Sequence, residues 1–149
     1  MKTIVAALDF SDVSPLVMEM AKRQAEAFNA SLHLVHAVDP GPSYEIYGFS
    51  PTEIPVNPWL DKALESSEAR MAKEGESLGL PEDKLFTHCI AATPVDAILK
   101  VAHEVNADLI VVGSHGHNLL GSILLGSCAQ GIVRRAEFPA LIVPREKAG

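Results

Sequence analysis

Positive charge is in short supply in this chain. Its 12 Lys and Arg stand against 19 Asp and Glu, which leaves a net charge of -7. Nucleic acid and anionic membrane surfaces are gripped by clustered Lys and Arg. Neither is an expected partner here, and any anion the protein binds has to be held locally. Long apolar runs are missing as well. The first, residues 4–8, stops at Asp9, far short of a signal-peptide core or a membrane span. The expectation is a cytoplasmic protein with no membrane partner. Cysteine is limited to Cys89 and Cys128, which do not form a Cys-x-x-Cys pair. A reducing compartment keeps such residues as thiols, and packing roles are expected of both. Two nucleotide signatures are also absent. Without G-x-x-x-x-G-K-[ST] no Lys reaches β- and γ-phosphates, so fast hydrolysis is not expected. Without G-x-G-x-x-G after a first strand, NAD is disfavoured.

What is present fits one domain over residues 1–149, with 48% hydrophobic and 21% charged residues. Residues 3–8 form a short apolar run without polar alternation, as does a strand buried on both faces. Ser14-Pro15 then offers an N-cap and a first-turn proline, and Val17, Ala21, Ala25 and Phe28 recur at helical spacing up to about Asn29. Residues 31–38 repeat the strand signal and end at Asp39-Pro40-Gly41-Pro42. Leu60, Leu64, Met71 and Leu78 mark one face of a second helix over 59–78. Residues 85–91 read as a third strand, and Thr93-Pro94 opens a third helix. Residues 109–112 are the most strand-like run in the chain and feed into Gly113. Ser127 with Gln130 resembles a capping box for a short helix to about Ala136, and residues 140–143 close the chain as a fifth strand. Strict alternation of strands and helices implies parallel pairing with right-handed crossovers. The expected fold is α/β: an open doubly wound five-stranded parallel sheet, order 3-2-1-4-5, with helices on both faces. Residues 39–58, with five prolines and two glycines, have no usable periodicity and are expected to be a surface excursion.

In such a sheet ligands bind beyond the carboxyl ends of the strands, where strand order reverses. That places Asp9 and Gly113 side by side. Gly113-Ser114-His115-Gly116 is followed, after nine residues, by Gly126-Ser127. Glycines let backbone N–H groups approach phosphate oxygens. A helix opening at Ser127 adds unpaired amides, a favourable dipole and a hydroxyl donor. The arrangement predicts a phosphate cradle.

The same segment, VVGSHGHNLLGSILLGSCAQGIVRRAEFPALIVP from Val111, resembles the carboxyl half of the universal stress proteins. Their nucleotide-binding members carry G-x-x-G, nine residues, G-[ST], matched here by Gly113, Gly116, Gly126 and Ser127. Residues 5–11, VAALDFS, look like the family's first strand and acidic turn. The resemblance implies a five-stranded domain that binds ATP with Mg²⁺ and dimerises through its last strand. Ala7 and Asp9 would lie by the ribose or metal, and the backbone from His36 through Ala37 to Val38 by the adenine. Gly113, Gly116, Gly126, Ser127, Cys128 and Ala129 would hold ribose and phosphates. One departure from the family is plain: residues 117–125 contain no Lys or Arg. Phosphate charge would then rest on backbone dipoles, His115, His117 and Mg²⁺.

Other readings of these residues are weaker. His115 and His117, with His33 and His36, could ligate a metal, but no acidic or Cys partner sits at ligand spacing, and solvated histidines are expected. Ser127 with a histidine suggests a nucleophile, yet no third orienting group is identifiable. Asp9 serves equally well as a ligand contact or as a turn-forming Asp. A short apolar terminal strand at residues 140–143 would be a liability if left unpaired, so a homodimer through that edge is expected. The reading that results is an ATP-binding stress-response regulator, acting through nucleotide-dependent conformation on a protein partner not identified by the sequence. A slow ATPase or autophosphorylating enzyme using Asp9, Mg²⁺ and Ser127 is the rival from the enzyme class. A nucleotide-free interaction module is the third.

Overall fold

The computed structural model describes residues 1–40, 58–115 and 125–145. Five strands form one sheet: β1 Thr3–Ala7, β2 Ser31–Val38, β3 Leu85–Ala91, β4 Leu109–Gly113 and β5 Ala140–Val143. All neighbouring pairs are parallel, and the order is β3-β2-β1-β4-β5. This is the order and class expected from the alternation of elements. Four described helices join them: α1 Ser14–Phe28, α2 Pro58–Glu76, α3 Pro94–Glu104 and α4 Ser127–Arg135. A single 3-10 turn, Glu82–Lys84, precedes β3.

The absence of polar alternation in the strands has a direct structural cause. Successive side chains point to opposite faces, and both faces of this sheet are covered. Ile4, Ala6, Leu32, Leu34 and Val111 pack with Val17, Ala21, Ala25 and Met71 from α1 and α2. Val5, Val35, Ile110 and Val112 pack on the other face with Ile98, Val101, Ala102 and Ile132 from α3 and α4. Helix α1 closes as its sequence indicates, with Asn29 in the left-handed conformation (φ 51°) as the C-cap.

Three local expectations are corrected. Helix α1 begins at Ser14 itself, with Val13 in the N-cap position and no side-chain cap, because the Ser14 hydroxyl donates instead to Asp9 Oδ1 (3.1 Å). Phe28, at the helix end, is 50% exposed rather than part of the buried face. No capping box forms at α4. Gly126 is the N-cap, and Gln130 Nε2 donates to the Leu125 carbonyl (2.8 Å).

One histidine pair is built into the β2–β3 ladder. His33 Nδ1 and His88 Nε2 share a hydrogen bond of 2.9 Å, and Phe86 stacks on His33 with ring centroids 4.6 Å apart. That bond needs one nitrogen as donor and one as acceptor, so the two rings cannot both carry a full charge. Burial, and then His88, push His33 down to about 4. Burial likewise lowers His88, against the pull of Glu104. In the unfolded chain an imidazole takes up its proton near pH 6.5. Between that pH and about 4 the unfolded state therefore binds more protons. The stability these neutral rings contribute is complete above about pH 6.5 and is lost as pH falls toward 4. Urea titrations at pH 7 and pH 5 are expected to differ by about 1 kcal/mol, since water at the sheet edge screens part of the effect. A His33→Leu variant should flatten the difference; an equal pH dependence in that variant would exclude the pair as its source.

Candidate functional site

Strand β1 lies between β2 and β4, so the chain leaves the sheet in opposite directions on either side of its carboxyl end. The crevice there is built by two loops. After β1, Leu8 N–H donates to the Val35 carbonyl (2.8 Å). Asp9 Oδ1 accepts the Ser11 N–H (3.0 Å) as well as the Ser14 hydroxyl, which is the Asx-turn chemistry available to an aspartate at a strand end. Phe10 takes a left-handed backbone (φ 61°), uncommon for a bulky residue. Its ring makes two close contacts. The His36 ring lies 4.2 Å away, and the Arg70 guanidinium stands 4.2 Å above the Phe10 ring. His36 is itself fixed, because its Nδ1 donates to the Leu8 carbonyl (2.7 Å).

After β4, Gly113 permits a close approach. A Cβ there would come within 2.8 Å of Val13 Cγ1. Ser114 N–H donates to the Val143 carbonyl (2.8 Å), and Gly126 N–H donates to the Ser114 carbonyl (2.6 Å). The Gly126 amide is therefore engaged by the Ser114 carbonyl. Ser114 Oγ and His115 Nδ1 lie 2.8 Å apart. Within α4 the first backbone bond is Gln130 N–H to the Gly126 carbonyl (2.9 Å). The amides of Ser127, Cys128 and Ala129 thus lack intrahelical acceptors, as the first turn of any helix does.

These loops surround a cavity of about 340 Å³, within the range of roughly 300–1,000 Å³ common for small-molecule sites. Its walls come from six elements. Leu8, Asp9 and Ala7 contribute from the β1 end, Val35, His36 and Ala37 from β2, and Val13, Ser14 and Val17 from the start of α1. Pro94 and Ile98 contribute from α3, Val112, Gly113 and His115 from the β4 end, and Gly126, Ser127, Cys128 and Ala129 from the α4 end. Val13, Val17, Ile98 and Val112 give it apolar walls, and Asp9, Ser14, His36, His115 and Ser127 supply polar ones. Burial pushes the Cys128 thiol up to about 11, with the Asp9 carboxylate adding to the shift. The thiol is therefore neutral at physiological pH. Cys89 is raised by burial in the same way, in keeping with packing roles for both.

Of the residues singled out from sequence, Ala7, Asp9, Ala37, Gly113, His115, Gly126, Ser127, Cys128 and Ala129 line this cavity. Val38 is buried, and its carbonyl accepts the Ala92 N–H (3.2 Å). It is not among the lining residues. Gly116 and His117 lie outside the described residues. The apolar floor of Val13, Val17, Ile98 and Val112, with Ser14 and Pro94, carried no local signal. Those side chains read as core until three-dimensional placement brings them to one cavity. Among the described residues no group of three or more His, Cys, Asp or Glu could hold a metal ion.

The model of the universal stress protein family matches residues 1–144. The chain belongs to the universal stress protein family. A family member from Thermus aquaticus, named for its place in the 3′ region of a QAH/OAS sulfhydrylase, is 37% identical over 143 residues, 95% of this chain and 98% of its own. Universal stress protein A homolog 1 of Coxiella burnetii is 35% identical, with 95% of each chain covered. Among solved structures, MJ0577 matches with a TM-score of 0.76 and 28% identity over 99% of this chain and 98% of its own. A universal stress protein in complex with cAMP matches with a TM-score of 0.62 and 30% identity over 95% of each chain. Both confirm the family and the sheet topology read from the sequence. Among the described residues no helix is long and apolar enough to cross a membrane.

Proposed function

We propose that this chain, as one domain, is an adenine-nucleotide-binding stress-response regulator that holds its ligand in the cavity between the β1 and β4 ends. The observation that carries the reading is the set of three first-turn amides at Ser127, Cys128 and Ala129, without intrahelical acceptors, beside Gly113 and Gly126 on the wall of a largely apolar cavity. Amides of this kind, with the helix dipole behind them, suit a phosphate. The apolar floor suits a base and ribose. The bound cAMP of the related solved structure supports an adenine nucleotide as the occupant. Where the occupant is ATP, Mg²⁺ accompanies it. Occupancy would alter the surface presented to a protein partner. Turnover is no part of the proposal. Mass spectrometry of gently purified protein is expected to detect a co-purifying adenine nucleotide, confirmed by calorimetric titration of the stripped protein. Absence of binding by both methods would remove the reading.

The protein is further proposed to form a homodimer through β5, and to work in the cytoplasm. The carbonyls of Pro139 and Val143 face β4, accepting from Ile110 and Ser114. By the two-residue period of a strand, the backbone groups of Ala140 and Ile142 face outward at the open edge. Pairing with a second copy would satisfy them. An Ala140→Pro variant loses the outward N–H without touching the ladder to β4. Light scattering is expected to show its dimer dissociating at a concentration about tenfold or more above that of the parent. Equal dimerisation in the variant would remove β5 as the interface.

A further inference from the structure

Phe10, one residue from the cavity wall, has a left-handed backbone (φ 61°). Asn29, Asn106 and Ala136 share that region, but each follows a helix end, where the conformation is routine. Phe10 precedes a helix, and a bulky residue keeps this conformation only where its surroundings over-determine it. The cavity depends on the result. Asp9 Oδ1 reaches across Phe10 to accept the Ser11 N–H (3.0 Å) and, further on, the Ser14 hydroxyl (3.1 Å). Rotation of Phe10 into an ordinary right-handed or extended conformation would carry the Ser11 N–H away from that carboxylate. Asp9 and Ser14 both line the cavity, so the turn that Phe10 sets is a length of cavity wall.

Two ring contacts bear on Phe10. The His36 ring, 4.2 Å away, is bonded to the same turn through the Leu8 carbonyl and moves with it. The Arg70 guanidinium, 4.2 Å above the ring, comes from α2, which contributes no residue to the cavity wall. A small cleft of about 80 Å³ adjoins the ring, with Phe10, Met18, Arg70 and Glu74 among its walls. Close packing does not enclose the ring on that side, so the cation carries weight that core atoms would otherwise bear. We propose that Arg70, though outside the cavity, is a positioning residue of the ligand site: seated on the Phe10 ring, it favours the left-handed turn and with it the placement of Asp9 and Ser14. The inference rests on the adenine-nucleotide reading above and adds a residue of α2 to it. Coupling between two sites is reciprocal. A ligand that favours the turn therefore favours Arg70 on the ring, and occupancy is felt at α2.

Calorimetric titration of the full chain with adenosine and AMP tests it. Arg70→Met keeps an apolar stem and loses the cation, and it should weaken both ligands about fivefold. Arg70→Lys returns a cation and should recover most of the loss. Phe10→Gly adopts the turn without strain and has no ring for Arg70 to hold. In that background Arg70→Met should change affinity by less than about twofold. Phe10→Asn, another residue that accepts the left-handed region, provides the same comparison. An Arg70→Met protein that binds as the parent does, or a loss that persists undiminished in the Phe10 variants, overturns the proposal while leaving adenine-nucleotide binding intact. A loss confined to AMP, with adenosine unaffected, overturns it too, since Arg70 would then act on phosphate charge and not through the turn. Failure of the parent to bind adenosine, AMP or ATP overturns the underlying reading, and the role of Arg70 with it.

Discussion

Gly126→Val is expected to lower adenine-nucleotide affinity by about 100-fold or more while leaving the fold in place. The argument begins with the backbone. Gly126 is the N-cap of α4 with φ -71° and ψ 165°, a conformation open to any residue, so the substitution meets no Ramachandran barrier. Its N–H can still donate to Ser114. Exchange of glycine for valine at an N-cap costs about 1 kcal/mol or less, a loss a folded domain tolerates. The new side chain, however, belongs to a buried residue of the cavity wall, beside the Ser127, Cys128 and Ala129 amides. A branched side chain there occupies the approach of a phosphate to its donors. Calorimetry should report the loss of binding and thermal denaturation a melting temperature close to the parent's. Unchanged affinity would exclude the start of α4 as a ligand contact.

That experiment tests a position chosen from sequence alone, and its placement on the cavity wall has a physical basis. Strand order follows from covalent order once every crossover is right-handed. The five apolar strand runs, and the glycines flanking the helix start, are local signals that survive folding unchanged. The order of elements alone therefore brings Gly113, Gly126, Ser127 and Asp9 to the same end of the sheet. Contacts between elements distant in the chain left no such trace. Phe10 holds a left-handed backbone where His36 and Arg70, 26 and 60 residues on, contact its ring. The His33–His88 bond depends on parallel register across β2 and β3. Cap assignments failed for a related reason. Ser14 and Gln130 each had a competing partner, Asp9 and the Leu125 carbonyl, supplied by loop geometry that a capping pattern does not encode.

Gly131 is the strongest case of a residue whose role lies wholly in such a contact. It sits within α4, where glycine costs up to about 1 kcal/mol relative to alanine, so Gly131→Ala would stabilise an isolated helix. In this protein the opposite is expected. A Cβ at Gly131 would lie 2.6 Å from Val95 Cγ2, and a β-branched side chain in a helix has essentially one χ1 available. Val95 cannot swing aside, so α4 must move away from α3. The substitution should cost about 1–3 kcal/mol of stability, a fall in melting temperature of roughly 3–8 °C. Because α4 also carries Ser127, Cys128 and Ala129, the displacement shifts the amides at the cavity mouth. A parallel loss of nucleotide affinity, about tenfold, is expected. Val95→Ala removes the two methyl groups that obstruct the new Cβ. The double variant Val95→Ala/Gly131→Ala should recover the affinity and be at least as stable as Val95→Ala alone, leaving the helical preference for alanine as the surviving term. A Gly131→Ala protein as stable as the parent, or a double variant no better than the sum of its parts, would show that the close approach of α3 and α4 does not hold the helix start against the cavity.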